Sequence, residues 1–250
     1  MPRTHLTVAT LVRNEANRFL PSALRCWQSF ADSIVFLDDN STDNTRDLAA
    51  EAGAIVHRRD ASPMWGEESL ARQQLWDLAL EHTPDGGHVL FLDADMIPAR
   101  NPRDLLQGNC DAWAFPLYDL WEEKRGKLYY REDNYWCGHL HPRIWLIRKP
   151  SVQDWAWNAR GIHCGHLPLN YSVRAAGIAP LDMSLLHFAY LTPELRREKG
   201  LQYGKTERIM SPFEVRHAQS ITDASPRLLP LPFTPQYTLT REVMEVQNVA

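Results

Sequence analysis

The sequence predicts an α/β fold: a mostly parallel, Rossmann-like central sheet with helices on both faces. Two patterns point to it. Short apolar runs of strand character alternate with helical patterns through the first hundred residues. Polar and acidic residues then cluster just after those runs, where open α/β sheets bind ligands. Size and composition agree, since 250 residues with 44% hydrophobic and 23% charged content suit one large domain or two small ones.

Leu6 to Val12 is a β-rich run. Ala16 to Phe30 follows, with Phe19, Leu20, Ala23, Leu24 and Trp27 on one helical face. Ser33 to Leu37 is the next strand and ends in Asp38-Asp39-Asn40-Ser41-Thr42-Asp43. Ser41 or Thr42 is expected to cap a helix running to Ala52, closed by Gly53. Ala54 to His57 reads as a third strand, and Glu67 to Glu81 as a helix with Leu70, Ala71, Leu75, Leu78 and Ala79 on one face. A turn at Thr83-Pro84-Asp85-Gly86-Gly87 leads into an apolar strand, His88 to Leu92. Right-handed crossovers would align the C-terminal ends of these strands along one edge.

After Ala112 the pattern changes. Ala112 to Trp121 and Lys127 to Trp136 read as two strands around a turn at Glu122 to Gly126, and Arg143 to Arg148 as another strand. Ser151 to Pro180 is irregular and rich in Trp, His and Gly, as site-shaping loops often are. Thr192 to Ile209 reads as a charged helix, and the prolines from Pro212 to Pro235 suggest an extended wrap. The expected division is therefore 1–111 for a ligand-binding half, 112–210 for a second half of the same domain, and 211–250 for a Pro-rich extension. Six of the nine Trp fall between Trp113 and Trp157, and they are expected mainly in the core.

A net charge of −4 argues against a basic nucleic-acid surface as the main theme. No apolar run approaches the roughly 20 residues that span a bilayer. The first residues show no signal-peptide pattern, and four cysteines without a CxxC pair make no disulfide framework. The expectation is a reduced, cytoplasmic protein.

Three predicted strand ends carry the chemistry: Arg13-Asn14-Glu15, Asp38-Asp39 and Asp93-Ala94-Asp95. The last is the sharpest signal. Two carboxylates around one small residue can offer oxygen ligands to a hard divalent ion, which would neutralise a diphosphate leaving group. Helix capping and turn formation by Asp compete with that reading for one motif alone. A second acidic strand end beside it favours ligand binding.

Val8-Ala9-Thr10-Leu11-Val12-Arg13-Asn14-Glu15, Phe36 to Asp43 and Phe91-Leu92-Asp93-Ala94-Asp95 together resemble glycosyltransferase family 2, with the GT-A fold, over residues 6 to 100. The resemblance implies a nucleotide-sugar donor, UDP-linked as the first choice, and Mn²⁺ or Mg²⁺. It implies Asp39 at the nucleobase or ribose, Asn14, Glu15 and Asp38 lining the nucleoside pocket, and Arg72 of Leu70-Ala71-Arg72-Gln73 in the same pocket. Asp93 would support the ribose or the metal, and Asp95 would hold the metal.

The second half more weakly resembles the lipopolysaccharide-core β-glucosyltransferase branch, through Pro142 to Arg148, Gly161-Ile162-His163, Leu186-His187-Phe188-Ala189-Tyr190 and a helix with Lys199 and Tyr203. That resemblance implies His187 as a metal ligand; Arg196, Arg197, Lys199 and Lys205 offer cations for the diphosphate. In that branch a Glu commonly follows the loop His, whereas here Cys164 follows His163. A thiol is a poor substitute for a carboxylate base. Asp133, among Tyr129, Tyr130, Tyr135 and Trp136, is the first choice for the base, with Glu132, Asp154 and His163 as alternatives.

The expected activity is thus metal-dependent transfer of a sugar to an acceptor hydroxyl, with inversion as the family's usual outcome. The acceptor classes left open are a glycan, a glycolipid, a peptide or a modified nucleobase. A nucleotidyltransferase ranks low, because Leu11 to Glu15 contains no Gly-rich phosphate loop. A non-catalytic sugar- or nucleotide-binding protein is the alternative from another class. Cys137, His139, His141, His163, Cys164 and His166 could in principle ligate zinc, but their spacing matches no recognised zinc module.

Overall fold

The computed structural model describes residues 3–60, 67–151, 153–159, 164–205 and 210–239. In chain order the elements are β1 (Leu6–Val12), α1 (Leu20–Gln28), β2 (Ser33–Asp38), α2 (Thr45–Glu51), β3 (Ile55–Arg58), α3 (Glu68–Glu81) and β4 (His88–Phe91). There follow β5 (Met96–Pro98), β6 (Ala112–Phe115), β7 (Leu117–Lys124), β8 (Lys127–Arg131), β9 (Arg143–Arg148), β10 (Ala176–Ile178) and β11 (Leu185–His187). The described chain ends with α4 (Pro193–Gly204), α5 (Pro212–Ser220) and β12 (Leu228–Pro230).

The α/β class is as the sequence predicts. A seven-stranded sheet runs β10-β6-β9-β4-β1-β2-β3. Its β3-β2-β1-β4 part is parallel, with Val8 opposite Ile34 on one side and Leu90 on the other. β9 lies antiparallel between β4 and β6. Every residue of β1 is buried, as a parallel strand covered on both faces requires. Apolar side chains from Leu6 to Leu239 pack in the cluster on one side, while Ala71, Leu75, Trp76 and Ala79 of α3 cover Ala9, Leu11, Val89 and Phe91 on the other.

A second sheet, ordered β12-β8-β7-β11-β5, joins distant parts of the chain. The expected strand from Ala112 to Trp121 breaks at Pro116, and its two pieces enter different sheets. Proline has no N–H to continue a ladder, so it suits that break. The expected strand to Trp136 stops at Arg131, because Asp133 accepts the backbone N–H groups of Tyr135 and Trp136 and turns the chain. Between β7 and β8, Arg125 (φ 51°) and Gly126 (φ 73°) form the expected tight turn.

The first helix starts at Leu20 rather than Ala16. The N–H groups of Glu15 and Ala16 are already taken by Thr45 Oγ1, at 2.8 and 3.1 Å, so this segment ties β1 to the next loop. Ser41 and Thr42 do not cap α2. Ser41 Oγ accepts the Asn14 N–H, and Asp43 Oδ1 accepts the Thr45 N–H instead. The Pro-rich segment holds a helix, α5, fixed by a capping box between Ser211 and Glu214, in addition to the expected extended stretch. That stretch adds β12 to β8 and packs Phe233, Tyr237 and Leu239 on the core.

Candidate functional site

The ends of β1, β2 and β4 lie side by side in the parallel sheet, which sets three sequence motifs along one edge. At the end of β4, Asp95 is 4% exposed. Its partner comes from far along the chain, because β11 is zipped between β5 and β7. His187 lies opposite Met96 on one side and Asp119 on the other, and the Phe188 N–H donates to the Asp95 carbonyl. His187 Nε2 stands 3.4 Å from Asp95 Oδ1, and its Nδ1 stands 2.7 Å from Asp119 Oδ1.

A carboxylate holding one ring nitrogen while the other faces a second carboxylate is how metal-binding histidines are oriented. Burial opposes charge on His187, but Asp95 and then Asp119 outweigh it and lift its pKa to about 10. Burial likewise opposes ionisation of Asp95, yet His187, Lys199 and Arg18 hold it well below the usual carboxylate range.

Asp93 behaves differently from Asp95. Both terminal nitrogens of Arg72 lie 3.3 Å from Asp93 Oδ1, and Arg72 Nε donates to Glu68 Oε1 at 3.1 Å, one helical turn back on α3. Its side chain remains 34% exposed. Among the described residues no three His, Cys, Asp or Glu side chains converge as a ready-made metal cage. The donors that face each other are Asp95 and His187, with Asp93 turned to Arg72.

Glu15 also belongs to this cluster. Burial pushes its carboxyl up to about 7, against the pull of Arg18, whose Nε is 3.5 Å from Glu15 Oε2; Asp95 and Lys199 are the next charges it feels. Lys199 on α4 is half-buried, but Asp95 offsets that penalty and raises its pKa. Arg18 and Lys199 therefore place positive charge beside Asp95. The pKa of Tyr190 is raised well above the usual range by burial and then by Tyr203, and its ring lies 5.2 Å from that of His187. Tyr203 also lines a cavity of about 510 Å³ between α4 and α5, together with Leu201, Met210, Val215, Ala218 and Thr222.

The β2 end is more closed than the sequence suggests. Asp38 and Asp39 are both 0% exposed. Asp38 Oδ2 accepts the Ser41 N–H at 3.0 Å and stabilises its own turn, while its Oδ1 is buried with no hydrogen-bond partner. Asp39 is ion-paired with Arg59, and Arg13 reaches over to donate to its carbonyl at 2.7 Å. Arg13, 28% exposed, is the group this strand end offers outward. Asn14, at φ 54°, is a staple: its Oδ1 accepts the Thr42 N–H at 2.8 Å.

Asp133 is held in place as part of a turn. Oδ1 takes two backbone N–H groups and Oδ2 takes Arg131 Nε at 2.6 Å. Glu132 binds His139 and Arg227. Asp154 lies on an exposed loop, and His163 falls outside the described residues. Cys164 has its thiol pushed up to about 11, by burial first and then by Glu68, so it is protonated at neutral pH. Among the described residues the candidate zinc cysteines and histidines do not gather as a zinc site either. His139 sits in a short 3-10 turn, bonded to Glu132 between Tyr118 and Tyr130, while His166 stacks on Phe91.

Asp119, Glu68 and Arg18 escaped the sequence reading. Asp119 and Glu68 sit inside a strand and a helix, with nothing local to mark them. Arg18 lies three residues after Glu15, and that spacing was its one available signal.

No family model matches the chain, and no curated protein matches it. Among solved structures, glucosyl-3-phosphoglycerate synthase from Mycobacterium tuberculosis in complex with Mn²⁺, UDP and glucosyl-3-phosphoglycerate is 23% identical, over 46% of this chain and 44% of that one, with a TM-score of 0.35. The same enzyme with UDP alone is 22% identical over 48% and 46% of the two chains, also at 0.35. A mycobacterial protein is 21% identical over 49% and 43%, again at 0.35. The matched region spans less than half of those chains, and a likeness of this extent carries no functional assignment.

Proposed function

We propose that the chain is a metal-dependent glycosyltransferase of the GT-A fold, moving a sugar from a UDP-linked donor to an acceptor hydroxyl with inversion. The supporting observation is the meeting of Asp95 with His187 beside Glu15, Arg18, Lys199 and the Arg72–Asp93 pair, at the edge of a parallel sheet. These residues come from five separate places in the chain. A sheet edge without a ligand has no reason to gather so many buried and half-buried charges there.

Asp95 and His187 suit Mn²⁺ or Mg²⁺ as a carboxylate oxygen and, once the ion displaces its proton, an imidazole nitrogen already oriented by Asp119. When bound, the ion supplies charge stabilisation to the departing diphosphate. Lys199 and Arg18 add positive charge on the same side, fixed before the reaction begins. Arg72, tied to Glu68, holds Asp93 at the strand end. Asp39 acts through Arg13 and Arg59, and Asn14 joins the two loops that would form the nucleoside floor. The acceptor would lie on the α4 side, with its non-reacting part toward the apolar cavity that shares Tyr203.

Thermal denaturation with nucleoside diphosphates and nucleotide-sugars, with and without MnCl₂, tests this reading. A ligand at 100 times its dissociation constant adds about 2.7 kcal/mol of stability. Asp95→Ala should abolish the Mn²⁺-dependent part of the shift while the variant stays folded. Absence of any nucleotide-dependent shift in the wild-type chain would overturn the proposal.

A further inference from the structure

Two histidines outside the strand-end cluster face each other at the margin of the larger sheet. β3 is the outermost strand of that sheet, and His57 stands opposite Leu37 of β2. Leu37 packs with Leu75, Ala79 and Leu80 of α3, so the shared register turns His57 toward α3 as well. His82 follows the last turn of α3, where its N–H donates to the Leu78 carbonyl at 3.1 Å. The two Nε2 atoms meet 3.1 Å apart, and both residues are half-buried.

One hydrogen bond satisfies that contact, with one ring donating and the other accepting. It also brings two metal-ligating nitrogens together before any ion arrives. Nitrogens bound to one ion at about 2.0–2.1 Å stand about 2.9 Å apart at a right angle and about 3.4 Å apart at the tetrahedral angle. The observed separation lies between those values. A modest turn of the two rings carries their lone pairs from each other onto a shared ion.

We propose that His57 and His82 form a two-histidine site for a borderline transition-metal ion such as Zn²⁺, Ni²⁺ or Cu²⁺. Imidazole suits these ions, whereas Mg²⁺ and Mn²⁺ favour oxygen ligands. Among the described residues no third His, Cys, Asp or Glu joins the pair, so water completes the coordination. The ring that had donated its Nε2 proton gives it up to solvent and carries a proton on Nδ1 instead.

The cations nearby in the chain are engaged elsewhere. Lys149 bonds the Thr83 carbonyl at 2.7 Å and pairs with Asp85 at 3.3 Å, while Arg58, on the opposite face of β3 from His57, donates to Asn40. The pair meets only when α3 docks on the sheet, so an ion held by both rings favours the folded chain. The ten residues from Arg72 to His82 span about 15 Å of helix axis, and this site does not depend on the glycosyltransferase reading.

The test titrates ZnCl₂ into the EDTA-stripped full chain, by calorimetry and by melting, for wild type, His57→Gln, His82→Gln and the double variant. Each single variant should weaken Zn²⁺ binding about ten-fold or more and remove the Zn²⁺-dependent rise in Tm. The double variant should lose no more than either single one, because one remaining imidazole cannot chelate. A rise in Tm that survives in both single variants marks zinc bound elsewhere and overturns the proposal. Variants that melt lower in EDTA but keep the full zinc response reduce the pair to a hydrogen-bonded staple, which overturns it too. Two measurements need no variant to fold. Wild type should melt higher with ZnCl₂, and electron paramagnetic resonance of the first Cu²⁺ equivalent should show two imidazole nitrogens on the ion; failure of either overturns the proposal.

Discussion

Replacing Asp133 by Asn separates a folding role from a chemical one. Asp133 Oδ1 accepts the N–H groups of Tyr135 and Trp136 at 2.9 and 3.2 Å, and Oδ2 accepts Arg131 Nε at 2.6 Å. Asparagine can keep one oxygen for the backbone pair, but it then turns an amide NH₂ toward a guanidinium that offers only donors. Arg131 is 3% exposed, so it feels the loss. It keeps the Ser220 carbonyl, Asp223, and the faces of Trp121 and Trp136 at 4.8 and 5.4 Å.

Removing one partner of a fully buried ion pair costs about 3–5 kcal/mol. Asp133 is 28% exposed and Arg131 retains other acceptors, so screening reduces the cost to about 2 kcal/mol. For a chain of 250 residues that is a drop of roughly 4–8 °C in Tm. The assay pairs scanning calorimetry with UDP release from a UDP-sugar, measured well below both melting temperatures. Turnover per folded molecule should stay within about three-fold of wild type. An unchanged Tm with turnover reduced about a hundred-fold or more would refute this reasoning and make Asp133 the base.

His88 sets an acid limit on stability. Burial first, and then the charge of Arg148, hold its pKa at about 4, below the ordinary 6.5, and neither ring nitrogen has a partner. The unfolded chain therefore binds the proton more readily. The stabilisation is complete above pH 6.5 and is lost as pH falls toward 4, reaching about 2 kcal/mol by pH 5. Urea denaturation at pH 7.5 and pH 5 should show His88→Leu losing less stability than wild type over that interval; equal losses would contradict the account. Trp76, 0% exposed, packs against Phe91, Trp155, Trp157 and Tyr171. Trp76→Ala should cost about 3–5 kcal/mol by chemical denaturation, and a cost under about 1 kcal/mol would show that the loop does not rest on it.

Legibility followed the range of the interactions. The strand from Arg143 to Arg148 was readable to both ends, and α3 and β4 to within one residue, because their apolar periodicity is local and strong. The three-residue strands β5 and β11 left no such pattern. They exist because each finds a neighbour far away in sequence, so their existence and the register that sets His187 against Asp95 appear only when the chain is folded. The helix starts were misplaced for a related reason: the N–H groups of Glu15 and Ala16 are claimed by a side chain about thirty residues later.

By itself the sequence determined the alternation of strands and helices, and with it the parallel sheet whose edge carries Asn14, Glu15, Asp38, Asp39, Asp93 and Asp95. Handed crossovers leave few other ways to bury those apolar runs. What these residues do there was decided by tertiary structure. Asp39 has the same carboxylate as Asp95, yet Arg13 and Arg59 from elsewhere in the chain close over it, while Asp95 receives a histidine and Asp119 orients it. A carboxylate's chemistry depends on which charges and donors stand within a few ångströms of it, and the fold alone chooses those neighbours.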